Sequence, residues 1–263
     1  MTRWLKASGA CLAVAVGVAA AAAGPKGGQE LTAREILERT ARVYEECASY
    51  RDAGSVVTTF HMGDGTSTRE LSFSTAFVRP DRFRFEYTED GSSTGVPTYV
   101  IWRHGGEVKS WWALRPSVKV EKSLSMALAA ATGVSAGSAH DVPSLLMPKE
   151  VLGRRLNDLP EAVRRADEPV AGHACFVVEG KIPPPAPEVV KKLNLPRPYS
   201  TVPETVWIDQ ATYLVRKIER TLPIGKGDAV EVTTYEPALN PAVPESSLAF
   251  NPPAGSRGSA TKG

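Results

Sequence analysis

The sequence has few of the residues from which metal sites are built. Its 263 residues include three cysteines and four histidines. The histidines share no metal-ligand spacing, and neither a paired-cysteine motif nor an acidic calcium loop accompanies them; they are His61, His104, His140 and His173. We therefore expect no metal ion and no cofactor.

The sequence also lacks an excess of charge of either sign. It holds 31 lysine and arginine residues against 29 acidic ones, and two of the basic residues, Arg3 and Lys6, lie near the N-terminus. Without those two, acidic and basic residues are equal in number. A nucleic-acid-binding protein carries a basic face, so we expect no nucleic-acid partner.

Long apolar runs are missing, apart from one near the N-terminus. There, Arg3 and Lys6 precede a charge-free stretch at 11–23 that ends in small residues. This order is typical of a cleaved signal peptide, and the stretch is shorter than the roughly 20 residues that cross a bilayer. Cys11 begins the apolar stretch, whereas a lipid-attachment cysteine follows it. We expect residues 1–23 to be removed on export and the mature protein to have no stable membrane anchor.

Two cysteines remain in the mature chain, Cys47 and Cys175. An even number of cysteines in an oxidising compartment permits a disulfide. Two separate buried thiols, packed as small apolar side chains, fit the sequence equally well. The sequence leaves both alternatives open.

An amphipathic helix opens the folded part of the chain. Residues 24–31 form a polar, glycine-containing leader that we expect to be disordered. Thr32 and Glu35 make a capping box, and apolar residues then recur at helical spacing. The pattern predicts a helix over 33–49 that covers an apolar surface.

From Tyr50 onward the period of the apolar residues changes from about 3.6 to 2. Residues 82–87 are the clearest case, with aromatic rings at alternate positions and charges between them. Such alternation predicts an antiparallel sheet with one buried face. The predicted strands are 56–62, 71–77, 82–87, 98–103, 107–113, 118–120, 161–167, 173–180, 204–209, 213–220 and 229–236.

Three segments depart from this alternation. Residues 122–150 contain two apolar helices, predicted over 123–131 and 141–149, joined by a flexible glycine-containing turn at 133–137. Residues 183–203 are proline-rich and too long for a simple turn, and residues 254–263 are expected to be disordered. We infer a single domain over 32–253.

The order of these elements predicts an α+β fold that is mainly antiparallel β. A sheet with this many strands must curve or close to bury its inner face. The helices are its natural cover. We therefore expect a half-open, curved sheet, an incomplete β-barrel, with residues 122–150 as a helical lid.

Four segments resemble the LolA-like periplasmic carriers, in particular the uncharacterised branch of outer-membrane lipoprotein-sorting homologues. They are the helix-to-strand passage at 44–54, the strand–proline–strand connection at 77–84, the late hairpin at 206–217 and the proline-punctuated ending at 235–253. Their order and spacing fit the family over about 33–255.

The resemblance implies a periplasmic protein with an apolar cavity, which in LolA-type proteins receives the acyl chains of lipoproteins. It implies a lipid or acyl-chain ligand, allows an envelope protein as partner, and suggests a monomer. The proline-rich residues 183–203 and the helix pair in 122–150 depart from the family. The carrier's functional arginine cannot be placed on this sequence, so its lid mechanism is not carried over.

One motif suggests enzymatic chemistry. Residues 133–137 match the G-x-S-x-G pattern of a nucleophile elbow, and His140 and Asp141 follow closely. An elbow requires a strand before the serine and a helix after it, but here a predicted helix comes first. We interpret Ser135 as part of a flexible turn and expect no enzymatic activity.

The candidate ligand cavity is the apolar inner face of the sheet together with the lid. For each ring, the alternative is an ordinary filled core. The candidate residues are Phe73, Phe77, Phe83, Phe85, Tyr87, Trp102, Trp112, Leu145 and Leu146. Because neighbouring residues of a strand face opposite sides, we expect either Trp111 or Trp112 to point outward.

These features predict an exported, soluble envelope protein that binds or carries a lipid, a lipoprotein acyl chain or another amphiphile. The alternative is a non-catalytic sensor or interaction module with a filled interior. A serine hydrolase acting through Ser135 is a remote third hypothesis.

Overall fold

The structure is a computed structural model that describes residues 30–63, 65–89, 97–184, 187 and 201–256. The predicted signal peptide, the predicted leader apart from its last two residues and most of the proline-rich segment fall outside these ranges. Among the described residues, no helix has the length and apolar character needed to cross a membrane.

Helix α1 (Ala33–Glu46) begins at the predicted capping box. The backbone N–H of Glu35 donates to Thr32 Oγ1 at 3.2 Å, and the Glu35 carboxylate accepts from the Thr32 N–H at 2.8 Å. The helix ends three residues before the predicted end because Cys47 is extended, with φ −63° and ψ 142°. Its buried side includes Ile36, Leu37 and Tyr44.

Twelve strands form one antiparallel sheet in the order β6-β5-β4-β3-β2-β1-β11-β10-β9-β8-β7, with the short β12 paired to β1. The end strands β6 and β7 do not pair with each other, so the sheet is open, and the predicted fold class is confirmed. The strands are β1 (Ser49–Met62), β2 (Gly65–Val78), β3 (Arg82–Glu89), β4 (Tyr99–His104), β5 (Glu107–Trp112), β6 (Arg115–Val120), β7 (Val163–Val170), β8 (His173–Ile182), β9 (Val202–Asp209), β10 (Val215–Ile224), β11 (Gly227–Tyr235) and β12 (Ala238–Leu239).

The inner face of the sheet carries the main core. Phe73 of β2 lies opposite Tyr87 of β3, and Phe77 lies opposite Phe83. Gly54 leaves room for this aromatic surface, because a Cβ there would lie 2.4 Å from Cζ of Phe73. Side chains of α1, of residues 124–147 and of both halves of the sheet contribute to this core.

Two helices occupy the segment predicted as the lid. Helix α2 (Leu124–Thr132) has the predicted extent to within one residue. Helix α3 (Asp141–Leu146) is three residues shorter than predicted. It ends early because Met147 precedes Pro148, and the residue before a proline is disfavoured in the α conformation.

The C-terminal tail covers part of the outer face. Phe250 packs against Trp102 and Trp111, with ring centroids 5.1 and 5.6 Å away. The indole Nε1 of Trp111 donates to Ser256 Oγ at 3.0 Å. Trp111 is therefore the outward ring of the predicted pair, but the tail buries it.

Candidate functional site

Seven of the nine candidate cavity residues lie inside the main core. Each is at most 4% exposed. Their side chains pack directly, as in the stacked pair Phe73 and Phe85, whose centroids are 6.2 Å apart. The seven are Phe73, Phe77, Phe83, Phe85, Tyr87, Leu145 and Leu146. In this structure they fill the middle of the inner face.

The two tryptophans of the candidate set lie apart from these seven and from each other. The pairing of Phe85 with Ile101 places Ile101 on the inner face. Trp102 therefore lies on the outer face, in a small cluster with Val100 and Trp111. Trp112 lies on the inner side and packs, partly buried, against the main core.

An open groove continues the aromatic surface beside β4, β5 and β6. The rings of Tyr87 and Tyr99 stack at 6.2 Å, and Trp112 follows at 6.3 Å from Tyr99. The groove has a volume of about 480 Å³, within the usual range for small-molecule sites. This aromatic groove is lined by Tyr99, Ser110, Trp112, Arg115, Ser117, Lys119, Glu121, Ala130 and Val134.

The polar groups of the aromatic groove include one unpaired cation. Glu121 accepts a hydrogen bond from Ser110 Oγ at 2.6 Å and pairs with Lys119 at 2.8 Å. Arg115 is exposed, and its guanidinium has no ion pair within the described part of the chain. Burial raises the pKa of the Tyr99 hydroxyl, which stays neutral at physiological pH. The groove thus combines an aromatic wall with a positively charged rim.

A second groove opens on the other flank of α2. Its volume is about 570 Å³. Ala129 and Ala130 follow each other in α2, yet Ala130 lines the aromatic groove and Ala129 lines this one. This acidic groove is lined by Ala129, Thr132, Gly133, Ala136, Gly137, His140, Asp141, Leu152, Arg154, Ile182, Arg220, Leu222 and Glu231. A further depression of about 610 Å³ lies between α1 and residues 157–162, away from both grooves.

A buried ion-pair network forms the floor of the acidic groove. Arg220 donates to both oxygens of Asp141, at 2.7 and 3.0 Å, and to Glu204 at 2.6 Å. Arg154 pairs with the same Glu204 at 2.9 and 3.0 Å. Burial lowers the pKa of Arg220, but the attraction of Asp141 and Glu204 raises it by more than burial lowers it. The pKa of Arg220 therefore lies well above its usual value. Arg220 is therefore charged and holds α3 to the sheet.

Helices α2 and α3 are attached to the sheet in different ways. Besides the Arg220–Asp141 pair, α3 is held by Arg79, which donates to Leu146 O at 2.9 Å and to Tyr44 O at 3.1 Å. Helix α2 is held by apolar contacts of Leu124, Ala127, Leu128 and Ala131. Among the described residues, its one side-chain hydrogen bond to another segment is from Leu152 N to Ser125 Oγ, at 3.0 Å.

The serine of the G-x-S-x-G motif has a structural role. Ser135 is fully buried, and its Oγ accepts the backbone N–H of Ala139 at 3.2 Å. His140 Nε2 lies 3.1 Å from the carbonyl of Leu152. The helix before Ser135, in place of a strand, gives this turn a different geometry from a nucleophile elbow.

The two cysteines are separate buried thiols and not a disulfide. Cys47 Sγ donates to Tyr44 O at 3.1 Å in the main core. Cys175 lies in another cluster with Val177 and Trp207. Burial raises the pKa of both thiols. Within the described ranges, no group of His, Cys, Asp or Glu side chains is placed to hold a metal ion.

The charged residues of the acidic groove were not predicted from the sequence, although a signal was present. Arg220 follows Ile218 at strand spacing, and Glu204 precedes Val206 and Ile208 at the same spacing. Both charges therefore fall on the buried face of a predicted strand. A charge at such a position requires a partner, but the sequence alone does not show that Asp141 provides it.

Comparisons with known proteins find no matching family model and no matching curated protein. Solved structures that match this chain include LprF from Mycobacterium bovis. It has 10% sequence identity, the match covers 84% of this chain and 97% of that one, and the TM-score is 0.45. The lipoprotein LppX from Mycobacterium tuberculosis has 15% identity over 81% and 97%, with a TM-score of 0.40. A LolA superfamily protein from Nitrosomonas europaea has 14% identity over 84% and 99%, with a TM-score of 0.33. LolA-type structures are thus among those to which this chain is similar, at scores too low to assign its ligand.

Proposed function

We propose that this protein is an exported, periplasmic carrier that holds the acyl chain of a lipid, a lipoprotein or another amphiphile in the aromatic groove beneath the edge of α2. The proposal rests on the open, aromatic-lined groove itself. Tyr99 and Trp112 extend the core's aromatic surface into an unfilled space of about 480 Å³. Each buried CH₂ group contributes about 0.8 kcal/mol, so an alkyl chain gains substantially on entering it.

The charges at the rim favour an anionic head group. Arg115 is exposed without an ion-pair partner among the described residues, and Lys119 shares its charge with Glu121. A carboxylate or phosphate at the mouth would pair with Arg115 while its tail lies along Trp112. The carrier acts as a monomer in this proposal, because one chain supplies the whole groove.

The mode of attachment of α2 supports uptake and release. The helix is held over the core by the leucines and alanines of its buried side and, within the described structure, by a single side-chain hydrogen bond to another segment, at Leu152. Displacement of α2 would widen the groove towards Tyr87 and Phe73, at a cost set mainly by apolar contacts. Helix α3 would stay in place, because Arg220 and Arg79 hold it.

A second candidate function rests on the filled core. Phe77, Phe83 and Phe85 are fully buried in one core cluster, as a sensor or interaction module without a ligand would require. The two functions differ in their response to an amphiphile: a carrier takes it up, and a module with a filled interior does not.

Titration with a dansyl-labelled undecanoic acid tests the proposal. Binding should quench tryptophan emission and excite the dansyl group, since Trp112 lines the groove. Ala130→Trp should fill the groove and weaken binding at least about tenfold, because a bulky ring displaces the chain. Trp112→Phe should keep binding but reduce energy transfer. Equal binding by wild type and Ala130→Trp, or no binding by either, would exclude this groove.

A further inference from the structure

A row of polar side chains crosses the inner face of the sheet beside α2. Cross-strand pairing places Arg69 next to Thr58, Thr58 next to Glu231, Glu231 next to Arg220, and Arg220 next to Glu204. Glu89 pairs with Arg69 at one end, and Arg154 pairs with Glu204 at the other. With Asp141 above Arg220, the row contains three guanidinium groups and four carboxylates.

The arginines of this row are already committed to other partners. Arg69 pairs with Glu89 and donates to Val134 O at 3.1 Å. Arg220 is shared by Asp141 and Glu204. Glu231 is left without an ion pair or a side-chain hydrogen bond among the described residues. Glu231 is partly buried, so water solvates the negative charge of its carboxylate poorly.

The acidic groove that Glu231 lines has apolar residues on several sides. Ala129 and Ala136 border the acidic groove from the helical cover, and Ile182 and Leu222 border it from the sheet. Leu152 adds a 72% exposed side chain at its wall. Burial raises the pKa of the Glu231 carboxyl and Asp141 adds to this effect, although Arg220 and Arg69 act in the opposite direction. A partly buried carboxylate that accepts no hydrogen bond from the described side chains favours a cation that brings apolar surface with it.

We propose that the acidic groove is a second binding site, which takes a primary alkylammonium ion. The ammonium head donates hydrogen bonds to Glu231, and the alkyl tail lies against Leu222, Ile182 and Leu152. The head group complements the one carboxylate of the row that has no partner. An anionic amphiphile is disfavoured here, since the row holds four carboxylates against three guanidinium groups and each guanidinium already pairs with a carboxylate. The site goes beyond the proposed acyl-chain function and does not depend on it.

Calorimetric titration of the mature protein with dodecylammonium, below its micelle concentration, tests this site. Dodecylammonium should bind, whereas dodecyl sulfate should not compete for the site. Butylammonium should bind at least about tenfold more weakly, because its short tail covers little of the apolar wall. Equal affinity for dodecylammonium and dodecyl sulfate in Ala130→Trp, whose aromatic groove is blocked, would show non-specific detergent binding and overturn the proposal.

Glu231→Gln is the variant that removes the charge at constant shape. It should weaken dodecylammonium binding about tenfold, since a hydrogen bond to a charged group is lost. The melting temperature should stay the same or rise, because a partly buried, unpaired charge is removed. Glu236→Gln, at an exposed residue directly after the same strand, is the matched control and should leave the affinity unchanged. Unchanged affinity in Glu231→Gln would contradict the proposal.

Two neighbouring substitutions in α2 separate this site from the aromatic groove. Ala129→Trp should block dodecylammonium and leave the dansyl fatty acid bound, whereas Ala130→Trp should do the reverse. Both alanines are exposed, so the two variants impose similar demands on folding. Loss of dodecylammonium binding in Ala130→Trp alone would place the cation in the aromatic groove and overturn the inference.

Discussion

Asp52 is a carboxyl group enclosed in the apolar core. It is 6% exposed, its Oδ2 accepts from the Tyr50 hydroxyl at 2.8 Å, and its Oδ1 accepts from the Thr75 N–H at 2.7 Å. Burial raises its pKa from 3.8 to about 6, although both hydrogen bonds favour the ionised form. In the folded protein the carboxyl therefore keeps its proton to a higher pH than in the unfolded chain.

The pKa of Asp52 predicts a pH-dependent gain in stability for Asp52→Asn. The contribution of a group whose pKa is raised by folding is complete below its unfolded pKa and is lost as the pH rises through the folded pKa. Between pH 4 and 7 the free energy of unfolding of Asp52→Asn should therefore rise relative to wild type, by about 1–3 kcal/mol. Urea unfolding at both pH values measures this difference. Asp81→Asn, at a site with no side-chain ion pair among the described residues, should show no such trend.

At the residue scale, sequence alternation predicted burial better than it predicted partners. The rings of Phe83, Phe85 and Tyr87 are buried together as their spacing indicates. Trp102 was grouped with them, but the pairing of β3 with β4 turns it to the outer face. Register depends on contacts between strands, and a shift of one residue in the register moves every side chain of the strand to the other face of the sheet.

Helices α2 and α3 differ in how they are fastened, although both cover the core. Helix α3 is tied by the charges of Arg220 and Asp141 and by Arg79 at its carboxyl end. Helix α2 depends on Leu124, Leu128 and small alanines. A segment held by few polar contacts and little buried area opens more readily than one anchored by buried ion pairs.

Hydrogen exchange should distinguish the two helices. Amides of α2 should exchange through local opening, at least about tenfold faster than those of α3 and of the central strand β1. Binding of a fatty acid should slow hydrogen exchange of the α2 amides and leave the exchange of the α3 amides unchanged. Equal protection of α2 and β1 in the free protein would contradict the assignment of α2 as the movable part of the cover.

At the element scale, local chemistry predicted where segments start better than where they end. Thr32 and Glu35 fixed the start of α1, because the capping box is a local interaction. The end of α3 is predicted correctly only if the effect of Pro148 on the residue before it is taken into account. The packing of the C-terminal tail over Trp111 could not be predicted from the sequence. Phe250 is separated from Trp111 by more than a hundred residues, and no pattern in the chain links them.

The whole molecule is an open sheet whose inner face is partly filled and partly grooved. The antiparallel fold with a helical cover follows from the strand alternation and from the apolar helices at 122–150. The grooves do not follow, since they depend on where α2 lies relative to Trp112 and Glu231. The sequence thus predicted an apolar inner face beneath helices, and the packing of one helix determines where that face is left open.

The most direct test of the proposed carrier function is native mass spectrometry of the protein, purified without detergent from the cells that produce it. We expect a population heavier than the bare chain by the mass of a lipid or acyl compound, and we expect Ala130→Trp to lose this population. A wild-type protein that shows the bare mass alone, and that takes up no lipid when incubated with vesicles, would contradict it.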